Sequence, residues 1–422
     1  MLDLDAVRAH FPALNTDAIF FDNPGGTQVA QGVLRRMQQY LLNTNANHGG
    51  AFTTSLRSDS VVYEARQAVA DFLNAAHPEE IIFGQNMTSL TLHISRCLAL
   101  LLQPGDEIVV TRLDHDANIA PWLHIARDHG CTVRWVDIHP DDCTLDMQDL
   151  ESQLTPRTRL VAIGYASNAM GTINDVKRAV ELAHEVGALC FIDAVQYAPH
   201  RAIDVQDLDC DLLACSAYKF FGPHTGILYG KLDLLKQLVA YKVRPADNEP
   251  PGKFETGTQS FESIAGVLGA LEYLSWLGTT FGTEFTHQLR ERFSGRRLAL
   301  RQAMEVITAH EHELSLALLA TLKSVPGLTL YGIADLERID ERVPTFSFAL
   351  AGWQPRQLAE RLAVENFNVW SGNYYALEVM KRLNIDEQGG LLRVGLVHYN
   401  THAEIERLRE TLLTLAQERS QE

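Results

Sequence analysis

Lys219 is the strongest candidate for a reactive residue, because of the residue types around it. It lies in the run CSAYKFFGP of residues 215–223, downstream of Asp193, which follows the apolar run of residues 190–192. Both segments have the pattern of a buried strand that carries polar residues into the next loop. A lysine there is either an amine whose stem packs on apolar neighbours or, with an acid upstream, the group that holds an aldehyde cofactor as a Schiff base.

A carboxylate directly after a buried strand, as at Asp193, can pair with the protonated nitrogen of a cofactor ring. That pairing keeps the ring electron-withdrawing. The alternative is a helix N-cap or a solvated loop residue. Gln196, three residues further along, and Lys219 downstream favour the cofactor role.

Two segments have the composition of a phosphate site. Ser216 and Tyr218 place hydroxyls beside the lysine, and Gly222 and Gly226 allow close approach of the backbone. Residues 86–89 (NMTS) lie between a predicted strand and a predicted helix, where backbone amides and hydroxyls bind phosphate. A plain helix N-cap explains residues 86–89 equally well.

His115 follows another predicted strand, within residues 113–122. A lone loop histidine is usually solvated, but an imidazole at this position can stack on a planar ring. Its place at the same predicted edge as Lys219 favours stacking.

Strand and helix patterns alternate from about residue 80 onward. The predicted strands are residues 81–83, 107–111, 132–136, 159–164, 188–193, 211–215 and 226–229, with helices ending near 102 and covering 117–129 and 174–186. Such alternation predicts an α/β fold with a mostly parallel sheet covered by helices on both faces. Ligands bind at the carboxyl ends of such strands, where Asp193 and residues 216–219 lie.

A second, smaller α+β domain is predicted towards the C-terminus. Residues 282–325 form one long helical pattern, and later residues mix strands with helices. The predicted strands are 345–349 and 391–395, and the predicted helices are 355–365 and 402–418. We therefore divide the chain into a large domain of residues 20–281 and a small domain of residues 1–19 and 282–422.

Composition excludes several classes of protein. The net charge of −17 argues against nonspecific binding to nucleic acid or to anionic membranes. No apolar run is long enough to span a membrane, and the N-terminus lacks the pattern of a signal peptide. The six cysteines form no CxxC pair, so we expect a reduced, cytoplasmic protein with neither disulfide framework nor metal site.

Five ordered motifs together resemble the class V aminotransferase family, most closely its cysteine desulfurase and selenocysteine lyase branch. The resemblance runs from residues 20–26 (FFDNPGG) to residues 399–401, nearly the whole chain. The motifs are Asp193 with Gln196, residues 216–219 (SAYK), 114–122 (DHDANIAPW), 167–172 (SNAMGT) and 254–258 (FETGT).

The resemblance implies the type I aminotransferase fold, with a mostly parallel seven-stranded sheet, and pyridoxal 5'-phosphate (PLP) as cofactor. Lys219 would form the Schiff base, Asp193 would meet the pyridine nitrogen, and His115 would stack on the ring. The further cofactor contacts that it implies are Met87, Thr88, Asn168, Gln196, Ser216, Tyr218 and Thr258. The family usually has histidine where Tyr218 stands, but a phenol can also donate to phosphate.

The resemblance also implies a substrate site and a homodimer. Arg393 would clamp the substrate carboxylate, and a guanidinium suits that task; the alternative is a surface strand arginine. His48 and Tyr374 would line the substrate pocket, although His48 fits a structural turn equally well. Thr258 would reach the phosphate of a neighbouring subunit, so that two subunits share their active sites.

One departure from the family pattern concerns sulfur chemistry. Desulfurases carry a cysteine on a loop of the C-terminal domain, where this chain has residues 370–377 (WSGNYYAL), and no cysteine occurs after Cys215. A hydroxyl cannot accept a sulfane sulfur, so we expect no persulfide relay.

The sequence therefore predicts a PLP enzyme that acts on a small L-amino acid, a desulfurase-like carbon–sulfur lyase that works by β-elimination. An aminotransferase or epimerase of the same family is the alternative, because both labilise the same Cα–H bond. A non-catalytic PLP-binding scaffold is a further alternative.

Overall fold

The computed structural model describes residues 2–420. The strands are β1 Ile19–Phe20, β2 Ile81–Gly84, β3 Glu107–Thr111, β4 Thr132–Val136, β5 Ile138–His139, β6 Thr144–Leu145, β7 Thr158–Gly164, β8 Leu189–Asp193, β9 Leu212–Ser216, β10 Gly226–Gly230, β11 Leu328–Tyr331, β12 Thr345–Leu350, β13 Phe367–Asn368, β14 Trp370–Gly372 and β15 Leu391–Gly395. The helices are α1 Leu4–Arg8, α2 Gln31–Asn43, α3 Thr53–Leu73, α4 Met87–Ala99, α5 Ala120–His129, α6 Met147–Gln153, α7 Val176–Glu185, α8 Val205–Leu208, α9 Leu232–Gln237, α10 Phe261–Phe281, α11 Thr286–Leu289, α12 Gly295–Ser324, α13 Pro355–Val364, α14 Leu377–Arg382 and α15 His402–Ser420.

A seven-stranded sheet forms the centre of the molecule, in the order β2-β10-β9-β8-β7-β3-β4. Strand β10 is antiparallel to both of its neighbours, and the other neighbouring pairs are parallel. The predicted mostly parallel seven-stranded sheet is confirmed.

Alternate residues of the buried strands pack against opposite faces of this sheet. In β8, Cys190 and Ile192 belong to one apolar cluster, which helices α3, α7 and α10 complete. Phe191 belongs to the second cluster, together with apolar residues of α4, α5 and α9. Because both faces are covered, the central strands β8, β9 and β10 are mostly apolar runs, which is typical of buried strands.

A four-stranded antiparallel sheet follows in the chain, in the order β11-β12-β15-β14. Its apolar residues pack with those of α12, α13 and α15 in a third cluster. Strand β1 pairs in parallel with β13, so the N-terminal segment joins this part of the molecule. The predicted small-domain strands and helices are present, and the domain boundaries stay a prediction.

The predicted continuous helix over residues 282–325 is wrong in its first third. Helix α10 ends at Phe281, the short helix α11 follows, and α12 begins only at Gly295, whose φ is +57°. Glycine adopts this left-handed backbone readily, and it breaks the helical path between α11 and α12. Within residues 2–420 no helix is long and apolar enough to span a membrane.

Candidate active site

One cavity of about 290 Å³ lies at the carboxyl ends of the central strands. The loops after β3, β7, β8 and β9 line it, together with the N-terminus of α4 and residues from β14 and β15. The predicted site residues in its wall are Met87, Thr88, His115, Asn168, Asp193, Gln196, Ser216, Tyr218, Lys219, Tyr374 and Arg393. The fold thus brings together side chains that are far apart in the sequence.

Lys219 ends the short 3-10 turn that follows β9, and its side chain is buried. The ammonium nitrogen Nζ donates hydrogen bonds to the carbonyl oxygens of Pro24 and of Gly25, the latter at 3.1 Å. Burial, and secondarily the positive charge of Arg393, lowers the pKa of Lys219 to about 7. At neutral pH a large fraction of this amine is therefore uncharged and nucleophilic.

Asp193 is the last residue of β8 and is also buried. Its Oδ1 accepts a hydrogen bond from the backbone amide of Val195 at 2.9 Å. Burial nevertheless raises the pKa of Asp193 to about 6, because a single amide and the charge of Lys219 do not offset the loss of water. A cationic ring nitrogen beside this carboxylate would favour its ionised form.

His115 caps the 3-10 turn after β3, and its Nδ1 accepts a hydrogen bond from the amide of Ala117 at 3.0 Å. Burial, followed by the charges of Lys219 and Arg393, lowers its pKa to about 4, so the imidazole is neutral. Its ring stacks on Tyr375, with centroids 5.5 Å apart and planes 19° apart. The histidine is thus held as a flat, uncharged wall of the cavity.

The N-terminus of α4 forms the end of the cavity that we assign to phosphate. Asn86 caps the helix by accepting a hydrogen bond from the amide of Ser89 at 2.9 Å, and Thr88 lies exposed in the first turn. The amide of Met87 donates to Oγ of Ser216 at 3.1 Å, which ties the helix to the end of β9. The cap leaves room for an anion, because a helix N-terminus has more free amides than one cap satisfies.

Gly226 of β10 allows this close packing of strand and helix. A Cβ atom there would lie 2.4 Å from the carbonyl carbon of Asn86. A side chain at this position would displace the first turn of α4, so glycine is required at this crossing.

Arg393 of β15 is buried and is held by three groups. Its guanidinium donates to the carbonyl oxygen of Asn168 at 2.9 Å and to Oδ1 of Asp22 at 3.1 Å. It also lies 4.5 Å from the ring centroid of Tyr374. Burial raises the pKa of Asp22 despite the opposing charges of Arg393 and Lys219.

Two amide side chains present unsatisfied acceptors to the cavity. Asn168 donates through Nδ2 to the carbonyl oxygen of Tyr374 at 2.8 Å, and Gln196 donates through Nε2 to Oγ1 of Thr345 at 3.0 Å. Their other amide atoms, Oδ1 and Oε1, are buried without a hydrogen-bond partner among the described residues. Buried acceptors of this kind need a donor, and a bound cofactor or substrate can supply one.

Two predicted site residues lie outside the cavity of their own chain. Thr258 lines a separate cavity, together with Thr225, Thr256 and Ser89. His48 is exposed, and its ring lies 6.2 Å from the ring centroid of Phe261. The predicted contact of Thr258 with the phosphate of a second subunit and that of His48 with substrate stay predictions.

Sequence reasoning assigned no role to several residues that line the cavity. Asp22 meets Arg393 although the two are far apart in the chain. Trp370 forms part of the wall, and Asp114 accepts a hydrogen bond from the amide of Gly164 at 2.6 Å. For Asp22 a usable signal was present, since it follows the apolar residues 19–21 just as Asp193 follows its own strand.

The fold and this site together define a PLP-dependent enzyme of the type I aminotransferase fold. The profile of the family described as aminotransferase class-V matches residues 19–303 and 295–408. The chain therefore belongs to the class V aminotransferase family.

Relatives include both aminotransferase-like and desulfurase proteins. The chain is 35% identical to aminotransferase-like protein FGM3 of Gibberella zeae, with 96% of each chain covered. It is 32% identical to a cysteine desulfurase of Dickeya dadantii, over 96% of this chain and 95% of the relative. The apo structure of a cysteine desulfurase from Thermococcus onnurineus superposes with a TM-score of 0.86 at 26% identity and covers 99% of both chains.

The residues of the cavity fit PLP. The unpaired amide oxygens of Asn168 and Gln196 are suitable acceptors for its polar ring substituents. The N-terminus of α4 suits its phosphate, and buried Asp193 suits a cationic ring nitrogen. No charged group in this set conflicts with the cofactor.

Proposed function

We propose that this enzyme is a carbon–sulfur lyase that acts on a small L-amino acid by β-elimination and does not relay a persulfide. The proposal goes beyond the family, which contains enzymes of several reaction types. It rests on the thiol-free wall of the cavity on the side of the C-terminal domain.

That wall consists of Trp370, Tyr374, Tyr375 and Arg393. All six cysteines lie in the described part of the chain; five are buried, Cys131 is half-buried, and none lines the cavity. Burial raises the pKa of every one of these thiols, which disfavours the thiolate that attacks sulfur. A route that needs no protein thiol therefore fits the site best.

In this mechanism the bound PLP supplies an electron sink for the Cα–H bond of the substrate. Arg393 holds the substrate carboxylate in place of Asp22. Lys219, released as a free amine, takes the Cα proton, and its lowered pKa suits a base at neutral pH. Asp193 would supply negative charge to a cationic ring nitrogen, and neutral His115 would supply a flat wall for the ring without competing for the proton.

Elimination then breaks the Cβ–S bond, and its electron pair leaves with sulfur as a thiolate. The thiolate gains a proton to become a thiol. The remaining three carbons and nitrogen leave as 2-aminoacrylate, which water hydrolyses to pyruvate and ammonia. No oxidant or reductant is needed.

Pyruvate release from purified holoenzyme tests the proposal. We expect pyruvate and an equal amount of thiol or sulfide from at least one of L-cysteine, L-cystine and S-alkyl-L-cysteine conjugates. The Lys219→Ala variant serves as the control and should release none. Absence of pyruvate with every one of these substrates would refute the proposal.

A class V aminotransferase is the second candidate, and the 35% identity to an aminotransferase-like protein favours it. An epimerase would use the same residues and return the Cα proton to the opposite face. An amino donor that converts the cofactor to its amine form, with reversal by a 2-oxo acid, would favour transamination. Loss of optical activity without other products would favour epimerisation.

A further inference from the structure

Two aromatic side chains, Trp370 and Tyr375, stand at the mouth of the active-site cavity. A second cavity of about 270 Å³ adjoins it, and Trp370, Tyr374 and Tyr375 belong to the walls of both. Trp370 and Tyr375 remain 55% and 72% exposed, whereas Tyr374 is buried. The two cavities thus meet at a pair of open aromatic rings, which we name the aromatic gate.

The backbone that carries Tyr375 is constrained by its neighbours. Tyr374 and Tyr375 have φ values of +56° and +59°, a left-handed backbone that costs a non-glycine residue about 1 kcal/mol or more. Hydrogen bonds maintain it: the carbonyl oxygen of Tyr375 accepts from the amide of Asp116 at 2.7 Å, and its own amide donates to Oδ1 of Asn373 at 3.1 Å. The Tyr374 hydroxyl also donates to the carbonyl oxygen of Leu391.

The ring of Tyr375 is already positioned for stacking. It is parallel to the neutral ring of His115 to within 19°, and most of its surface stays open among the described residues. Arg393 and Lys219, which the proposed function assigns to the carboxylate and the Cα proton of the substrate, both line the inner cavity. A side chain longer than that of cysteine has room in the second cavity, which shares Trp370, Tyr374 and Tyr375 with the inner one.

From this geometry we infer that the enzyme prefers L-cysteine conjugates whose sulfur carries an aromatic group, which stacks on Tyr375 and Trp370. The inference rests on the proposed β-elimination, in which the Cβ–S bond breaks and the ring departs with the thiol. A favourable aromatic contact at the gate acts on binding of the leaving group and leaves the proton transfer to Lys219 unchanged.

A matched pair of substrates tests the gate. S-benzyl-L-cysteine and S-cyclohexylmethyl-L-cysteine are alike in size and release alkyl thiolates, but only the first carries an aromatic ring. Since stacking contributes beyond area alone, we expect kcat/KM for pyruvate release to be about two- to tenfold higher for the benzyl conjugate. Equal values for the two conjugates would overturn the inference.

Variants of the gate provide the second readout. The ratio of the two kcat/KM values should persist in Tyr375→Phe, which keeps the ring, and fall towards one in Tyr375→Leu and Trp370→Leu. A ratio that is unchanged in both leucine variants would overturn the inference.

Binding separates this inference from the proposed function. The dissociation constants of both conjugates can be read from the visible absorption of the bound cofactor, even if neither yields pyruvate. Without pyruvate the lyase proposal fails, while a benzyl preference in binding that Tyr375→Leu abolishes still supports the gate. Equal dissociation constants would overturn it.

Discussion

Three ionisable residues of the active site have pKa values that burial shifts towards the neutral form. Burial lowers the pKa of Lys219 to about 7 and of His115 to about 4, and it raises that of Asp193 to about 6. The site without cofactor therefore favours a charged ligand. An opposite charge stabilises the ionised form of a buried group, and a covalent bond to Lys219 removes the need to keep it charged.

The lowered pKa of Lys219 predicts how the apo-enzyme takes up its cofactor. Only the uncharged amine attacks an aldehyde, and an ordinary lysine has a pKa of about 10.4. We therefore consider the rate of covalent PLP uptake by the apo-enzyme divided by the rate of the same reaction with free Nα-acetyl-lysine. This ratio should stay constant below about pH 7. Above that pH it should fall about tenfold per pH unit, because Lys219 is already deprotonated while the free lysine continues to lose its proton. Stopped-flow absorbance of both reactions measures this ratio, in which the cofactor's own titrations cancel.

A constant ratio from about pH 6 to pH 9 would show that Lys219 titrates like a solvated lysine. The Arg393→Gln variant is an internal check, since loss of the nearby positive charge should move the break to higher pH.

Arg393 leads to a prediction about substrate binding. Arg393→Gln removes the charged donor for the substrate carboxylate, so KM should rise about ten- to a hundredfold with a smaller change in kcat. Arg393→Lys keeps the charge and loses the two-pronged geometry, so its KM should lie between those of the wild type and the glutamine variant. Steady-state kinetics on any accepted substrate measure the effect; an unchanged KM in Arg393→Gln would exclude the clamp.

Residues with a strand on one side and a loop on the other could be predicted from the sequence. Lys219, Asp193 and His115 each follow an apolar run, and the structure places all three at one cavity. Asp22 also follows an apolar run, but its partner Arg393 could not be predicted, and neither could the place of Trp370 in the wall, because these depend on β1 pairing with β13 and β14 pairing with β15. Such long-range pairings leave no local pattern.

At the scale of elements, one contact fixes the phosphate end of the site. Helix α4 begins against β9 and β10, where Ser216 accepts from the amide of Met87 and Gly226 lies beneath Asn86. The position of the helix N-terminus therefore depends on β9 and β10, which come more than 100 residues after the helix in the chain.

Gly226→Ala should weaken cofactor binding. A methyl group 2.4 Å from the Asn86 carbonyl carbon forces the first turn of α4 away, at an overpacking cost of about 1–3 kcal/mol in the free energy of unfolding. Equilibrium dialysis should show PLP affinity lowered about tenfold or more, since these amides face the phosphate.

Gly230→Ala is the matched control on the same strand. Its Cβ would meet the side chain of Leu235, far from the cavity, so it should destabilise the fold without lowering PLP affinity. Equal losses of PLP affinity in the two variants would contradict the role of Gly226.

Elements with strong hydrophobic patterns could be predicted, among them all seven strands of the central sheet. Short elements such as β1, β5 and β6 were not, and neither was the break between α11 and α12, where residues 290–294 (RERFS) are good enough helix formers to hide a turn. The break falls at Gly295 with its left-handed backbone, and α12 then packs closely on α10, since a Cβ on Gly278 would lie 1.9 Å from the carbonyl oxygen of Ala299. Tertiary packing of this kind overrides local propensity.

At the scale of the whole molecule, Thr258 is the residue that connects the site to oligomeric state. It lies outside the cavity of its own chain, on a segment that the family resemblance assigns to a subunit interface. We propose a homodimer in which Thr258 completes the phosphate site of the partner subunit.

Hybrid dimers test this proposal. Lys219→Ala and Thr258→Ala subunits are co-expressed so that they form mixed dimers. In a dimer with shared sites, one site then has both wild-type residues, Lys219 from one chain and Thr258 from the other, and the second site has both substitutions. If the site is shared, that hybrid should bind PLP with wild-type affinity and show about half the wild-type kcat per dimer. Tandem-tag purification isolates the hybrid, and light scattering gives its mass.

If the hybrid instead has the lowered affinity of the Thr258→Ala homodimer, Thr258 acts within its own chain. A monomer by light scattering would contradict the dimer itself. The sequence alone could not decide whether Thr258 acts in its own chain or in a partner subunit. A residue that makes a contact between two copies has the same sequence pattern as one that makes the contact within a single chain.

The products formed from L-cysteine test the central claim most directly. A lyase without persulfide relay yields pyruvate, ammonia and sulfide in equal amounts, with no alanine and no sulfur bound to the protein. A desulfurase yields alanine and leaves the sulfur on a protein thiol. Quantifying pyruvate and alanine in the same reaction, with mass spectrometry of the intact protein, distinguishes them: we predict pyruvate and an unmodified chain, and alanine with a persulfide-bearing chain would contradict the account.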